Sequence, residues 1–197
     1  MAIPKYRVFS LGMLLILMLG GCGGVRFSQI APEAEGFHPQ TLALLALDVV
    51  GVEESREVLD RIIAGELSDE RQFKSFFSYQ MMQRLLQENE PLRKTTTAYL
   101  AKLKAVNFSD SDLSKKIGEL AGVDAFLLIN VDYWYYTQEA DKNVAKVGLS
   151  MKLINAATGV VIWKAGHDLA EKYVIMKPEL RSVARDVVRQ MLRAMPR

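Results

Sequence analysis

Apolar residues along this chain follow two different spacings, and each change of spacing falls at turn residues. Thr41 to Val50 is an almost unbroken apolar run, interrupted at Asp48 and broken by Gly51. A short run of this kind suits a strand buried on both faces. Val58, Leu59, Ile62 and Ile63 then recur at helical intervals, which predicts a helix over 53–64 with Gly65 as its stop. Ser68, followed by Asp69 and Glu70, has the chemistry of an N-cap and predicts a second helix. Phe73, Phe77, Met81 and Leu85 fall four apart along it, and Phe76, Met82 and Leu86 widen the stripe. Core packing accounts for such a stripe better than a ligand box does. Pro91 ends the pattern, and 92–106 has no single period. That stretch fits a short strand, a helical turn near Tyr99-Leu100, or both.

The second half is more regular. Ser109 with Asp112 three residues on resembles a capping box, and Leu113, Ile117 and Leu120-Ala121 carry a helix that Gly122 closes. Asp124 to Trp134 is a second strongly apolar strand. Lys142 to Asn155 alternates, with Val147, Leu149, Met151 and Leu153 on one face and Lys146, Ser150 and Lys152 on the other. Ala156-Ala157-Thr158-Gly159 is a turn, and Val160 to Ala170 returns as the partner strand of a hairpin. Pro178 opens a last helix, with Leu180, Val183, Ala184, Val187, Met191 and Met195 on one side and Arg181, Arg185, Arg189 and Arg193 on the other. An arginine row of this kind is ordinarily a solvated face. The order of elements predicts an α/β (α+β) fold: a mixed sheet of four to five strands, including the C-terminal hairpin, with helices packed on it.

The first 21 residues have a different character. Lys5 and Arg7 precede an apolar run from Val8 to Leu19, broken only by Ser10 and Gly12, and then comes Leu19-Gly20-Gly21-Cys22. A positive start, a short apolar core and small residues before a cut make a secretory signal. The run is shorter than the roughly 20 apolar residues that span a bilayer. Of 25 Lys and Arg against 23 Asp and Glu, Lys5 and Arg7 are two, so the remainder is balanced. A balanced domain has no electrostatic reason to seek DNA or RNA, so no nucleic-acid partner is expected. The single cysteine, Cys22, leaves no internal disulfide, and the domain relies on its apolar core.

The enzyme motifs sought are missing: no phosphate-binding Gly-Lys-Ser or Gly-Lys-Thr loop, no Gly-x-Ser-x-Gly elbow, no His-Glu-x-x-His. His38 stands beside Pro39, and His167 stands near Asp168 and Glu171. On a strand His167 and Asp168 point to opposite faces, which argues against joint metal ligation. The densest unusual feature is Tyr133-Trp134-Tyr135-Tyr136. On a continuing strand Tyr133 and Tyr135 face one way and Trp134 and Tyr136 the other, so one pair can join the core while the other is exposed, either as a protein interface or as a strand end with tyrosines at the core boundary.

Leu-Gly-Gly-Cys at 19–22 resembles the lipobox of bacterial lipoproteins. The resemblance implies a signal peptide over 1–21, a diacylglyceryl group and an N-acyl chain on Cys22, a lipidated tether over 22–40 and a single domain over 41–197. No other cofactor is implied. Two or three acyl chains hold a protein firmly on a membrane, where one holds weakly. Gly23, rather than Asp, after the cysteine implies transfer to the outer membrane, facing the periplasm.

Three further strings resemble outer-membrane lipoproteins with a domain like the amino-terminal domain of the translocation protein TolB: the buried strand Leu42 to Asp48 after a tether, Leu120-Ala121-Gly122-Val123-Asp124-Ala125 running into an apolar strand with an aromatic end, and the hairpin Leu153 to Trp163. Related folds occur in curli-secretion, Pel-export and penicillin-binding-protein-activator lipoproteins. The 92–106 stretch departs from that pattern, where a clear second strand is usual. The resemblance implies a non-enzymatic envelope assembly, export or docking component, with the membrane, envelope proteins and further copies of itself as partners. An activator of a cell-wall synthase and an envelope hydrolase are the alternatives.

Overall fold

The computed structural model describes residues 25–49, 53–69 and 73–196. Its elements run in the order β1 (Phe27–Ile30), a 3-10 turn (Pro32–Ala34), β2 (Thr41–Val49), α1 (Glu53–Asp69), β3 (Ser75–Phe77), α2 (Tyr79–Glu88), α3 (Glu90–Val106), α4 (Ser111–Ala121), β4 (Ala125–Glu139), β5 (Lys142–Asn155), β6 (Val161–Tyr173) and α5 (Leu180–Arg193). One mixed sheet has the strand order β1-β6-β5-β4-β2-β3. β4, β5 and β6 form an antiparallel meander, β2 lies parallel to both β4 and β3, and β1 closes the far edge antiparallel to β6.

The α+β class is the expected one, with six strands in place of four to five. The strands missed are the two at the sheet edges, β1 and β3. All four residues of β1 are exposed, so it carries no alternation to read. The stretch read as a tether therefore contributes a strand to the sheet before the chain reaches Thr41.

Helices cover the two faces unequally. On the first face, Leu59 and Ile63 of α1 and Val183, Val187 and Met191 of α5 pack on Leu44, Leu127, Leu149, Met151 and Trp163. On the second face, Met82 of α2, Leu92 and Tyr99 of α3 and Ile117 of α4 pack on Ala43, Leu45, Phe126, Leu128 and Ile154. This second layer buries side chains over β2, the start of β4 and the turn end of β5. Further along β4, β5 and β6, the same face carries polar and aromatic groups.

Several boundaries differ from those expected, each for a local reason. α1 passes Gly65 and continues to Asp69, and Ser68 sits inside it with its hydroxyl donating to the Ala64 carbonyl at 2.7 Å. Burial of Leu67 carries the helix through the glycine, which costs about 1 kcal/mol relative to alanine. The expected second helix divides into β3, paired with Thr41 to Ala43, and α2, capped by Ser78. The buried Asp60 of α1 accepts from the N–H groups of Tyr79 and Gln80 at 2.7 and 3.2 Å, so one helix caps the start of another. Residues 92–106 lie within α3, which Asn89 caps by accepting from Leu92 N–H at 2.9 Å. The β-branched run Thr95-Thr96-Thr97 weakens its helical signal, while burial of Leu92, Thr96 and Tyr99 on one face sustains the helix. Asp110, not Ser109, caps α4, accepting from Asp112 and Leu113 at 3.0 Å each. The Ser109 hydroxyl instead contacts the buried Tyr99 hydroxyl at 2.8 Å and donates to the Gly159 carbonyl. Burial pushes the Tyr99 phenol up to about 12, even with Ser109 beside it.

β4 runs five residues beyond the expected Trp134, and β6 continues to Tyr173. Ala140 and Asp141, both at positive φ (47° and 61°), join β4 to β5 in the handedness that two-residue hairpins need. At the opposite end of these strands, the Asp124 carboxylate accepts from Gln40 N–H at 2.8 Å and Thr41 N–H at 2.9 Å. Burial acts to raise its pKa, but the hydrogen bonds from Thr41 and Gln40 outweigh that and hold it below the usual value. α5 starts at Leu180, two residues after Pro178, and buries Val183, Ala184, Val187 and Met191 as expected.

Candidate functional site

Leu19, Gly20, Gly21 and Cys22, like Lys5 and Arg7, lie outside the described residues. Arg26 and β1 are fastened to β6. Arg26 Nη1 lies 3.2 Å from Asp168 Oδ1, and Trp163 Nε1 donates to Ser28 Oγ at 2.9 Å. Phe27 pairs with Gly166 and Ile30 with Trp163. The N-terminal end of β1 therefore points along β6 in the direction of Tyr173.

His167 is held structurally. The Arg26 backbone N–H donates to Nδ1 at 3.3 Å, which makes Nδ1 an acceptor, so Nε2 carries the proton and donates to Gln190 Oε1 at 2.9 Å. Its neighbour Asp168 points to the other face, as the strand period requires. His38 is exposed. Among the described residues no group of three His, Cys, Asp or Glu could hold a metal. No described helix is long and apolar enough to cross a membrane.

A β-bulge decides how the aromatic quartet is divided. The β4–β5 register shifts between Val131 and Tyr133, leaving Asp132 as an extra residue. Before the bulge, odd-numbered residues of β4 face the α1/α5 core; after it, even-numbered ones do. Trp134 accordingly packs against that core, and Tyr133 and Tyr135 stand on the opposite face, edge to face at 5.9 Å. Two glycines floor this outer region. A Cβ at Gly148 would lie 2.4 Å from the Tyr133 ring, and one at Gly166 would lie 2.3 Å from the Phe27 ring. Lys146 Nζ sits 4.9 Å from the Tyr133 centroid and donates to Glu139 at 2.8 Å, a contact that raises its pKa.

Tyr136 belongs to a different feature. Its ring meets Tyr173 edge to face at 6.2 Å, its hydroxyl donates to the Pro178 carbonyl at 2.9 Å, and Lys177 Nζ lies 3.5 Å from its centroid. These contacts brace the loop between β6 and α5. That loop displays Val174, Ile175 and Met176 at 91%, 96% and 87% exposure, between Lys172 and Lys177. Three consecutive large apolar side chains in water are costly unless something covers them. The sequence reading missed this loop, although the triplet Val-Ile-Met between lysines was there to be read.

The second face also holds a cleft of about 760 Å³ between α2, α3 and the sheet. Leu86, Leu100 and Leu103 wall it, and Leu45, Ala46 and Leu128 form its apolar floor. A second bulge, between Leu44 and Ala46, puts Leu45 and Ala46 side by side on this face. One transverse row of the sheet then reads Ala46, Leu128, Lys152, Lys164, and the next reads Asp48, Asn130, Ser150, Gly166. Thr96, 3% exposed, lines the cleft, and its buried hydroxyl has no hydrogen-bond partner.

The arginine row of α5 lies mostly in solvent. Arg189 forks onto Glu66 of α1 at 2.9 and 3.1 Å, and Arg181 lies 3.5 Å from Glu179.

No protein-family model matches the chain. No curated protein matches it either. Solved structures do. The PelC dodecamer from Paraburkholderia phytofirmans is 14% identical, covers 80% of this chain and 86% of its own, and superposes with a TM-score of 0.51. A single-residue variant of that dodecamer in another crystal form is 15% identical, covering 80% and 87%, with a TM-score of 0.52. Lipoprotein GNA1162 from Neisseria meningitidis is 18% identical, covering 78% and 97%, with a TM-score of 0.49. The likeness to PelC is one of fold, and it is the likeness expected from the resemblance to Pel-export lipoproteins.

Proposed function

We propose that this protein is a lipid-anchored, non-enzymatic component of the bacterial envelope that docks envelope proteins and copies of itself. Cys22 carries a diacylglyceryl group and an N-acyl chain, and the body faces the periplasm from the outer membrane. The observation that carries the reading is positional. The N-terminal end of β1, the end nearer Cys22 in sequence, points along β6 toward the strand end that the apolar Val174-Ile175-Met176 loop follows. An apolar tip between lysines suits contact with a lipid surface. Tyr133 and Tyr135, on the face that no helix buries there, offer an aromatic docking patch. The dodecameric state of PelC supports self-assembly on this fold.

Two experiments test the reading. Labelled palmitate should enter the wild-type chain, which should fractionate with outer membranes; Cys22→Ser should lose the label and leave the outer-membrane fraction. A wild-type chain without label would overturn the anchor. Light scattering on the Cys22→Ser chain should give a multiple of the monomer mass, and Tyr135→Ala should lower that mass or weaken partner capture while leaving the thermal transition in place. A monomer that captures no envelope protein would overturn the docking role.

A further inference from the structure

The cleft between α2, α3 and the sheet changes character along a single line. Leu128, Lys152 and Lys164 are successive cross-strand neighbours on β4, β5 and β6. With strands about 4.8 Å apart, the floor passes from leucine to two lysines within about 10 Å. The helix side of this line is apolar: Leu86, Leu100 and Leu103 stand half-buried around the cleft, against a floor of Leu45 and Leu128. The strand side is cationic. Lys152 is steadied by Asn107, whose Oδ1 accepts from its Nζ at 3.0 Å, and Lys164 is exposed. Arg93 and Lys104 add positive charge at the helical rim, and Asp48 is the one acidic residue of the lining. The volume of about 760 Å³ lies within the roughly 300–1,000 Å³ usual for small-molecule sites.

We infer that this cleft binds an anionic amphiphile, with its acyl chain on the leucine floor between α2 and α3 and its head group on Lys152 and Lys164. A purely apolar occupant would leave both lysines unused, and a purely polar anion would leave the leucines wet. A chain with an anionic head satisfies both halves at once, by burial of methylenes and by charge-assisted hydrogen bonds. The unpartnered Thr96 hydroxyl, buried in the lining, adds a polar group that an ester or carboxyl oxygen of the occupant can satisfy. This inference stands apart from the anchor on Cys22 and from the docking patch at Tyr133 and Tyr135.

The test uses residues 23–197, which keep every described element and lack both Cys22 and the apolar run at 8–19, free of detergent, with the fluorescent fatty acid cis-parinarate. Fluorescence should rise saturably at one probe per chain. Oleate and oleoyl lysophosphatidylglycerol should both displace it, and whichever acts at the lower concentration identifies the source as free fatty acid or phospholipid. Oleyl alcohol and oleoyl lysophosphatidylcholine, which share the tail but lack net negative charge, should need at least about tenfold more, the equivalent of about 1.4 kcal/mol. Lys152→Ser with Lys164→Ser should weaken oleate about tenfold or more and leave oleyl alcohol unchanged. Leu100→Asp should abolish probe binding; because it also touches the core layer, the lysine pair, which leaves that layer intact, carries the decision. Absence of saturable binding, or equal binding of oleate and oleyl alcohol with no response to the lysine pair, would overturn the inference.

Discussion

Replacing Val174, Ile175 and Met176 together by serine removes the apolar tip and touches no core contact, since these side chains are 91%, 96% and 87% exposed. In water the change should therefore leave folding stability within about 0.5 kcal/mol of wild type, as for other surface substitutions. On a membrane it should matter. Full burial of side chains of this size is worth roughly 1.5–3 kcal/mol each. A loop embedded to about the depth of the headgroup boundary gains on the order of half of that, so the triplet supplies about 3 kcal/mol. Lys172 and Lys177 each add about 1 kcal/mol on an anionic surface. The sum, about 5 kcal/mol, corresponds to a preference of more than a thousandfold for anionic vesicles over solution. The assay is flotation of residues 23–197 with phosphatidylglycerol vesicles, so that neither acyl chains nor the apolar run at 8–19 contributes. The triple serine variant should lose about a hundredfold in partitioning, matching 3 kcal/mol. Lys172→Ala with Lys177→Ala should remove the preference for phosphatidylglycerol over phosphatidylcholine. Equal flotation of the serine variant and its parent would refute the reasoning. A fall in oligomer mass in the serine variant, with flotation unchanged, would assign the loop to contact between copies instead.

Asp60→Ala should cost about 2–4 kcal/mol in urea denaturation, because the Tyr79 and Gln80 N–H groups lose a buried charged acceptor, whereas Asp60→Asn, which keeps one acceptor, should cost less. The lowered pKa of Asp124 makes its share of stability full above the unfolded value of 3.8 and lost as pH falls through the folded value. Asp124→Asn should therefore destabilise at pH 7 and flatten the acid limb of a stability–pH profile below about pH 4; a parallel profile would refute the assignment. Gly148→Val should eject the Tyr133 ring and cost about 1–3 kcal/mol, and adding Tyr133→Ala should recover part of that loss in a double-mutant cycle.

The sequence made the centre of the sheet legible and its margins illegible, for physical reasons. β2, β4 and β5 are buried on at least one face, so their residues are constrained to apolar runs or strict alternation. β1 and β3 are short edge strands held by backbone pairing, and pairing leaves no mark on side-chain pattern. α3 was hidden by Thr95-Thr96-Thr97, a triplet with a local preference opposed to the helix that its buried stripe stabilises. The aromatic quartet was legible as two opposed pairs. Which pair faced the core depended on one extra residue at Asp132, and a bulge has no signature in spacing alone. The cleft was invisible because its walls and floor come from β2, α2, α3 and β4–β6, elements joined only by the fold.

The way β1 is fastened has a mechanical consequence. Under the proposed anchor on Cys22, a tug from the membrane would enter the fold through Arg26 and β1. β1 runs antiparallel to β6, so a load applied to its N-terminal end along the strand axis would fall on the Phe27–Ile30 ladder lengthwise, in shear, not one bond at a time. The Arg26–Asp168 contact and the Trp163–Ser28 hydrogen bond share that load at either side of Phe27. Under that proposed anchor β1 would act as a strain-relief clamp, and its detachment would lengthen the leash by the residues up to Thr41.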